Sequence, residues 1–198
     1  MKSWLIGGGI LVVIVMWLVG TYNSFVGLNE DVSTAWAQVE NQYQRRYDLV
    51  PNLVATVQGI AKQEQAVFVG VAEARAKVGQ LTVTPEVLSN PQLFQQFQAA
   101  QGELSSALSR LLVAVEAYPT LKSNENFLAL QTQLEGTENR IATERMRYNE
   151  VVRTYNVRAK GIPGVFFVSL FGFDKERQLF EAAEGANTAP KVEFNIGS

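Results

Sequence analysis

The sequence predicts an all-α protein, in which an N-terminal transmembrane helix continues into an antiparallel, up-down-up-down four-helix bundle. The first observation behind this prediction is an uncharged apolar run over residues 4–20. The second is that apolar residues recur at helical spacings of three and four in four later segments. The third is that the sequence lacks the alternating apolar and polar runs that are typical of strands.

These patterns divide the chain into four parts. Residues 1–21 are predicted to be the transmembrane anchor and residues 22–160 the four-helix bundle. Residues 161–182 form an apolar membrane-proximal segment followed by a short amphipathic turn. Residues 183–198 are rich in Gly, Asn, Thr, Pro and Ser, which is typical of a flexible tail.

The composition limits the available chemistry. Hydrophobic residues make up 47% of the 198, which is enough for one domain with a core, and the net charge of −2 gives no nucleic-acid footprint. The sequence has no Cys and no His, which excludes thiol nucleophiles, histidine bases, Cys/His zinc sites and Glu-x-x-His di-iron sites. We therefore predict no catalytic residues, metal or cofactor. An enzyme that uses carboxylates alone is a weak alternative.

The apolar run is long enough to cross a membrane. At about 1.5 Å per residue it just spans a hydrocarbon core of roughly 30 Å. Trp4 lies at one end, and Trp17 and Tyr22 lie at the other, as interfacial aromatic residues do. The alternative is a cleaved signal peptide, but no small-x-small cleavage site follows. We expect an uncleaved, single-pass anchor in the cell (inner) membrane.

Two arguments about orientation disagree. Lys2 is the one positive charge near the anchor, and the next is Arg45, so the positive-inside rule favours an extracytoplasmic bundle. Arg153, Arg158 and Lys160, however, precede the second apolar segment and would suit the anionic cytoplasmic leaflet. The sequence leaves the side of the membrane open.

The first bundle helix keeps a heptad pattern from Tyr22 to Tyr43 and runs on from the anchor. Asp48 suits an N-cap and Pro51 a first helical turn, so we predict a hairpin there. A continuous, kinked helix is the alternative. The second helix ends near Gly79.

Proline and capping residues bound the last two helices. Asn90 before a proline starts the third helix, and Tyr118 before a proline stops it, since a residue that precedes proline avoids the α region. Ser123 or Asn124 caps the fourth helix, which ends near residue 160. The short connections favour antiparallel neighbours, so the fourth helix should return to the bilayer.

The segment after the fourth helix, residues 162–173, has the sequence IPGVFFVSLFGF. It is too short to span a membrane and has the length of a re-entrant or interfacial segment. The alternative is that its phenylalanines cap the open end of the bundle core, and both interpretations stay open. The residues predicted to contact the membrane are Trp4, Trp17, Tyr22, Phe166, Phe167, Phe171 and Phe173.

A row of polar residues runs beside the apolar stripe of the fourth helix, and such residues need polar partners if they are buried. The predicted network contains Arg46, Asp48, Asn52, Glu138, Arg145, Asn149 and Asn156. With a hairpin at Asp48, Arg46 would lie at its tip and Asn52 would be the better partner for Glu138. The network either fixes the register of the helices or forms a binding groove or self-assembly surface.

Three blocks of sequence resemble the LemA family. They are RRYDLVPNLV at 45–54, YPTLKSNENFLAL at 118–130 and QLEGTENRIATERMRYNEVVRTYN at 133–156. The ending GIPGVFFVSLFGF and the start YNSFVGLNEDVSTAW after the anchor are similar too. The resemblance implies a single-pass bacterial membrane protein with a four-helix bundle and no assigned enzyme activity. It also implies similarity to proteins of magnetosome membrane formation and, in other members, a link with membrane stress proteases. The family's N-terminus has often been placed outside the cell, opposite to the Lys2 argument.

The predicted function is that of a non-enzymatic, self-assembling scaffold that shapes or organises the membrane. Its expected partners are the lipid bilayer and other copies of the chain. The alternative is an adaptor, a binding module for a membrane protease or another membrane protein.

Overall fold

The computed structural model describes residues 2–59, 61, 64–81 and 84–181, and within these ranges every regular element is helical. We number the α-helices α1 to α6. Their bounds are Lys2–Gln58 (α1), Gln65–Gln80 (α2), Pro91–Val115 (α3), Pro119–Lys122 (α4), Glu125–Lys160 (α5) and Gly164–Phe171 (α6), and a 3₁₀ turn over Pro85–Leu88 precedes α3. The predicted tail at 183–198 lies outside the described residues.

Helix α1 is 57 residues long, which corresponds to about 85 Å. Its N-terminal part has a mean hydropathy of 2.2 over 18 residues, and only 6% of that window is buried. Among the described residues it is the one helix that is long and apolar enough to cross a membrane. The all-helical class and the long apolar first helix are therefore confirmed.

The predicted hairpin at Asp48 is wrong, because α1 continues through Pro51 to Gln58. Proline lacks the N–H that would bond to the carbonyl of Tyr47 four residues earlier. The Nε of Arg75, on α2, donates to that carbonyl at 3.3 Å. Its guanidinium also lies 3.9 Å from the centre of the Tyr47 ring. The carbonyl freed by Pro51 is thus satisfied from outside the helix, and the chain has no need to turn there.

The core has two parts, and the first lies far from the apolar start of α1. This distal cluster is mostly aliphatic and joins the end of α1 and α3 to the start of α2 and α5, so the direction of the chain alternates among these four helices. Its buried members are Val50, Leu53, Val57, Ala61, Phe68, Val71, Ala74, Leu104, Ala107, Leu108, Leu111, Val115, Leu121, Phe127 and Leu134.

The second part, the proximal cluster, lies nearer the apolar start of α1 and is rich in aromatic residues. The long helices α1 and α5 form it with the start of α3, the 3₁₀ turn, α6 and one residue of the C-terminal chain. Its buried members are Phe25, Val32, Trp36, Val39, Tyr43, Val87, Leu88, Phe94, Phe97, Ile141, Tyr148, Val152, Tyr155, Ala159, Phe167, Val168 and Phe180.

Asn90 caps α3 as predicted, and of the two predicted alternatives Ser123 and Asn124, Asn124 caps α5. The side chain of Asn90 accepts from two backbone N–H groups at the start of α3, at 3.0 and 3.2 Å. The side chain of Asn124 accepts from Phe127 N–H at 3.0 Å at the start of α5. These contacts satisfy amide groups that a helix cannot pair internally, and they fix where α3 and α5 begin.

Helix α6 starts at a close approach between backbones. The Cβ of a side chain at Gly164 would overlap the carbonyl oxygen of Arg158 and would lie 3.2 Å from the ring of Phe25. Only glycine fits there. At the other end of α6, Gly172 adopts a φ of 73° and redirects the chain.

Residues 174–181 form no helix, whereas the sequence predicts a short amphipathic turn at this place. They run back along α5 and end at the last described residue, Glu181. The reason for the difference is that polar side chains of α5 take up the backbone groups that a helical turn would pair internally.

Candidate functional site

Two identical dipeptides on α5, Tyr148-Asn149 and Tyr155-Asn156, lie seven residues apart, and so on the same face of the helix. Seven helical residues rise about 10.5 Å. Three residues of an extended chain also span about 10 Å. An extended segment packed along α5 would therefore advance three residues for each step from one dipeptide to the next. We call the surface formed by the two dipeptides the Tyr-Asn ladder, and we call residues 174–181 the strap.

Each asparagine of the ladder pairs with both backbone groups of one strap residue. The Nδ2 of Asn156 donates to the carbonyl of Arg177 at 2.8 Å, and its Oδ1 accepts from the Arg177 N–H at 2.8 Å. Asn149 makes the same two contacts with Phe180, at 2.9 and 2.8 Å. The amide thus takes the place of the neighbouring strand that an extended backbone would otherwise need.

The two tyrosines of the ladder donate to strap carbonyls. The hydroxyl of Tyr148 donates to the carbonyl of Gln178 at 3.0 Å, and that of Tyr155 donates to the carbonyl of Asp174 at 2.7 Å. Burial raises the pKa of both tyrosines above the usual value near 10, so their hydroxyls stay protonated, and able to donate, to a higher pH than those of exposed tyrosines.

Phe180 is the apolar anchor of the strap. Its ring lies 4.9 Å from the ring centre of Phe94, 5.4 Å from that of Tyr148 and 6.0 Å from that of Trp36. These three rings come from α3, α5 and α1, and Phe180 is only 7% exposed. The strap therefore contributes to the proximal core itself.

Arg177 is the polar anchor of the strap and is 8% exposed. Its Nη2 donates to Oδ1 of Asn29 on α1 at 2.7 Å and pairs with the Asp174 carboxylate at 2.8 Å. Its guanidinium also lies 5.7 Å from the centre of the Tyr155 ring. With Phe180 three residues later, the buried side chains of the strap follow an Arg-x-x-Phe pattern.

The far end of the strap is held from two helices. The Nη2 of Arg145 on α5 and the Nε2 of Gln98 on α3 both donate to the carbonyl of Glu181, at 3.1 and 2.9 Å. The N–H of Gln178 donates to the carbonyl of Leu88, in the 3₁₀ turn, at 2.8 Å. The strap is thus hydrogen-bonded to α3, α5 and the 3₁₀ turn as well as to α1.

A second polar cluster surrounds Arg46, which is 1% exposed. Its Nη1 donates to Oε1 of Glu138 at 2.9 Å and to the hydroxyl of Ser105, and its Nη2 donates to the side chain of Gln101 and, at 3.2 Å, to the Gln101 carbonyl. The guanidinium lies 5.1 Å from the centre of the Tyr43 ring. This cluster joins α1, α3 and α5 between the two parts of the core.

The structure brings five of the seven predicted network residues into interhelical or strap contacts, in two groups. Arg46 pairs with Glu138, and Arg145 joins Asn149 and Asn156 in holding the strap. A cavity of about 470 Å³ borders both groups, because Arg46, Glu138, Arg145 and Glu181 all line it.

Asp48 and Asn52 do not join the network. Both are exposed, and the Asp48 carboxylate accepts from Gln44 on the same helix at 2.9 Å. The expected pairing of Asn52 with Glu138 fails because α1 continues to Gln58. Arg46 then lies about 18 Å from the end of α1, level with the position of Glu138 in α5.

The strap itself is what sequence reasoning missed. Its contacts with α5 use backbone groups, which carry no sequence pattern. Tyr148 and Tyr155 are buried in the proximal cluster, and their hydroxyls also bind the strap. The repeated Tyr-Asn dipeptide at a spacing of seven is the pattern that indicates this surface.

The predicted membrane-contact residues divide into exposed and buried ones. Phe167 is 4% exposed and belongs to the proximal cluster, and Phe173 packs against that cluster, so these two support the interpretation as a core cap. The others are 40% to 89% exposed and are Trp4, Trp17, Tyr22, Phe166 and Phe171.

Helix α6 packs against α1 where the apolar part of α1 ends. The ring centres of Phe167 and Trp17 are 5.6 Å apart, and those of Phe171 and Tyr22 are 5.1 Å apart. A shallow apolar cavity of about 380 Å³ lies beside this contact, lined by Leu18 and other residues of α1 and α6. The two apolar segments therefore form one continuous surface.

Within the described residues, no group of three or more acidic side chains is placed to hold a metal ion. The predictions that the chain binds no metal or cofactor stay predictions.

Comparisons with known proteins agree on one family. The model of the LemA family matches residues 35–194. The chain is 29% identical over 180 residues to the magnetosome proteins MamQ 1 and MamQ 2 of Paramagnetospirillum magneticum, a match that covers 83% of this chain and 66% of each relative. It is 28% identical over 191 residues to the magnetosome protein MamQ of Magnetospirillum gryphiswaldense, covering 88% of this chain and 70% of that protein. The chain thus spans about two thirds of the length of these curated relatives.

Proposed function

The chain belongs to the LemA family, and we propose that it is a non-enzymatic, membrane-anchored scaffold that assembles laterally and organises the bilayer around it. The observation that carries this proposal is the exposed apolar face of α6, placed beside the end of the anchor. Its relatives in the family include magnetosome proteins by name. The structure supports a role in which the chain acts through physical contact with the membrane.

The exposed face of α6 has the properties of a lipid contact. Phe166 and Leu170 lie one helical turn apart and are 68% and 73% exposed, and Ile162, just before the helix, is 85% exposed. A contiguous exposed apolar patch of this kind indicates a membrane or protein contact. An eight-residue helix is too short to span a bilayer, so the face suits the interfacial region.

In this position α6 would insert into one leaflet of the bilayer only. Because α6 packs against α1 at Trp17 and Tyr22, it would enter the leaflet nearest the bundle. Each copy would then add protein cross-section to that leaflet and only a single helix to the other. Many copies side by side would favour curvature.

The anchor also leaves room for lateral assembly. A Cβ built at Gly7, Gly8 or Gly9 meets no atom within 4 Å. Small residues let transmembrane helices approach each other closely. The anchors of neighbouring copies could pack through this surface.

The depth of α6 is measurable because the chain has no cysteine of its own. We expect a nitroxide label at Phe166→Cys, in the full chain reconstituted in vesicles, to be accessible to oxygen and shielded from a water-soluble nickel reagent. A label at Val113→Cys, which is 67% exposed on α3, is the matched control and should show the opposite accessibility. Equal accessibility at the two positions would contradict the membrane contact.

Assembly and bilayer shape test the scaffold itself. The full chain in detergent should have the mass of an oligomer, and vesicles that contain it should change shape by electron cryomicroscopy. The double change Phe166→Ser and Leu170→Ser should remove the shape change, whereas Val113→Ser and Met146→Ser, at residues that are each 67% exposed, should keep it. A monomer that leaves vesicles unaltered would rule out the scaffold.

The side of the membrane stays a prediction, with the extracytoplasmic side favoured by Lys2. Gln80 ends α2 and is exposed, so Gln80→Cys should react with a membrane-impermeant maleimide in intact cells if the bundle is outside. Reaction only after lysis would place the bundle in the cytoplasm.

A second candidate function is an adaptor that binds a membrane protease or another membrane protein. The Tyr-Asn ladder favours it, because its asparagines hold an extended chain through backbone contacts. Under this proposal, Asn149→Ala with Asn156→Ala should abolish capture of the partner by the full chain from solubilised membranes. Recovery of the chain alone by the unaltered protein would count against the adaptor.

A further inference from the structure

The end of α5 is level with the end of the anchor. Helix α5 runs antiparallel to α1, and the ring centres of Tyr155 and Phe25 are 6.5 Å apart. Arg158 and Lys160 follow Tyr155 by three and five residues, so their backbones lie about 5–8 Å farther toward the anchor. That distance places them level with residues 20–22 of α1, where its apolar run ends.

Basic side chains outnumber acidic ones at this end of the bundle. Residues 153–177 carry five basic and two acidic side chains, although the whole chain has a net charge of −2. The two acidic ones, Asp174 and Glu176, pair with basic neighbours at 2.8 and 2.6 Å. Arg158 and Lys175 are exposed and form no ion pair within the described residues. The bilayer end of the bundle therefore keeps a positive charge.

Lys175 is held close to the last turns of α5. The residue before it, Asp174, accepts through its carbonyl from the Tyr155 hydroxyl at 2.7 Å, and the residue after it, Glu176, pairs with Lys160. Acidic residues of α1 lie farther away. The first of them is Glu30, eight residues beyond Tyr22 and so about 12 Å farther from the apolar run.

The apolar cavity beside α6 is within reach of these basic residues. Its volume is about 380 Å³, and Leu18, Val19, Tyr22 and Phe171 line it. Phe171 precedes Lys175 by four residues, which span at most about 14 Å. One leaflet of a bilayer, with its headgroups, is roughly 20 Å thick. The cavity and Lys175 therefore lie within the length of one lipid molecule.

We propose that this end of the molecule is a binding site for an anionic phospholipid of the leaflet nearest the bundle. An acyl chain lies in the apolar cavity beside α6, and Arg158 and Lys175 contact the phosphate-bearing headgroup. A zwitterionic headgroup suits the site less, because it carries no net charge for these residues to attract. The inference rests on the membrane contact of α6 proposed above and names the class of lipid that this contact selects.

Quenching of Trp17 by brominated lipids measures this selection, because Trp17 borders α6. The experiment uses the full chain with Trp4→Phe, in which the other tryptophan, Trp36, is 7% exposed in the core and gives a constant signal. Phosphatidylcholine vesicles contain an equal fraction of either brominated phosphatidylglycerol or brominated phosphatidylcholine. We expect the anionic lipid to occupy the site at least about fivefold more strongly, which is the effect of one basic residue at a lipid surface. Equal quenching by the two lipids would overturn the proposal.

Two variants that remove the same charge separate the site from a general electrostatic effect. Arg158→Gln with Lys175→Gln should lower the preference by about fivefold or more. Arg110→Gln with Arg140→Gln, at exposed positions of α3 and α5 away from the anchor, is the matched control and should leave the preference unchanged. Equal losses in the two variants, or no loss in either, would contradict the site.

Salt gives a second measurement that leaves Arg158 and Lys175 in place. The preference should fall between about 0.05 and about 0.5 M salt, because ions screen the attraction between exposed charges. A preference that salt does not alter would count against the headgroup contact. The label at Phe166→Cys distinguishes this inference from the proposed function. A label shielded from the nickel reagent, without a lipid preference at Trp17, would contradict the lipid site alone, whereas a label open to that reagent would contradict both.

Discussion

The distal and proximal parts of the core are built differently. In the distal cluster four helices meet through mostly aliphatic side chains. Helices pair their interior backbone groups themselves, and the Tyr47 carbonyl that Pro51 leaves free is the exception. In the proximal cluster α1 and α5 are covered partly by an extended chain, and the buried side chains are largely aromatic. An extended chain cannot pair its backbone internally, so the neighbouring helix must supply polar side chains. The Tyr-Asn ladder meets that need, and a purely apolar helix face could not.

The comparison predicts different responses to mutation in the two parts. The largest loss of global stability should come from the distal cluster. Leu111 is fully buried there, and Leu111→Ala should lower the free energy of unfolding by about 2–5 kcal/mol through lost burial and a cavity. Thermal or denaturant unfolding of the full chain measures it. An unchanged free energy of unfolding in Leu111→Ala would contradict the assignment of the distal cluster as the main core.

The next effect should come from the ladder. Asn156 is 8% exposed, and Asn156→Leu would leave the N–H and carbonyl of Arg177 without partners, at about 1–3 kcal/mol for each group that stays buried. We expect the strap to detach, seen as faster proteolysis after Arg177. Asn139→Leu, on an exposed position of the same helix, is the control and should leave the strap in place. Equal cleavage in the two variants would argue against the ladder.

A smaller effect is expected at Gly164, where the start of α6 lies close to the backbone of Arg158 at the end of α5. Gly164→Ala would force its Cβ against the Arg158 carbonyl, so α6 should move away from the anchor. The expected result is a change in the fluorescence of Trp17, which contacts Phe167. Gly102→Ala on α3, where a Cβ meets nothing within 4 Å, is the control and should leave the emission unchanged. An unchanged emission in the Gly164 variant would contradict the close packing.

The smallest effect should be a pH dependence that comes from a buried tyrosine of the proximal part. Burial raises the pKa of Tyr148 above its value of about 10 in the unfolded chain. The folded state therefore holds this proton more tightly, and the stabilisation is fully present below about pH 10 and is lost as the pH rises above it. Tyr148→Phe should flatten that alkaline loss, measured by unfolding at pH 8 to 11. Tyr22, for which the structure gives no such burial, serves as the control through Tyr22→Phe.

Helical periodicity and capping residues predicted most of the fold. The caps at Asn90 and Asn124 and the close of the last long helix are local features, and local features are visible in a sequence. The continuation of α1 through Pro51, where a hairpin was predicted, is not visible in local features. The carbonyl that Pro51 leaves free is paired by Arg75, which lies 28 residues from Tyr47 in the chain. A compensation between such distant residues has no local pattern.

The error at the hairpin explains the error in the polar network. With α1 ending too early, Arg46 was placed at a tip, and Asn52 was expected to pair with Glu138. With the observed end at Gln58, Arg46 and Glu138 come level and pair at 2.9 Å. Arg145, Asn149 and Asn156 were predicted as polar residues beside the apolar stripe of α5, and they contact the strap. Their partner was missed because it is the backbone of the strap, and any sequence has a backbone.

Asn149 and Asn156 hold the strap through the backbone of Phe180 and Arg177. Amide hydrogen exchange of the full chain in detergent tests it directly. The N–H groups of Arg177 and Phe180 should exchange slowly although they lie outside any helix, and Asn149→Ala with Asn156→Ala should abolish this protection while α2 and α3 keep theirs. Fast exchange at these two amides in the unaltered chain, or protection that survives the double substitution, would show that Asn149 and Asn156 do not hold the strap.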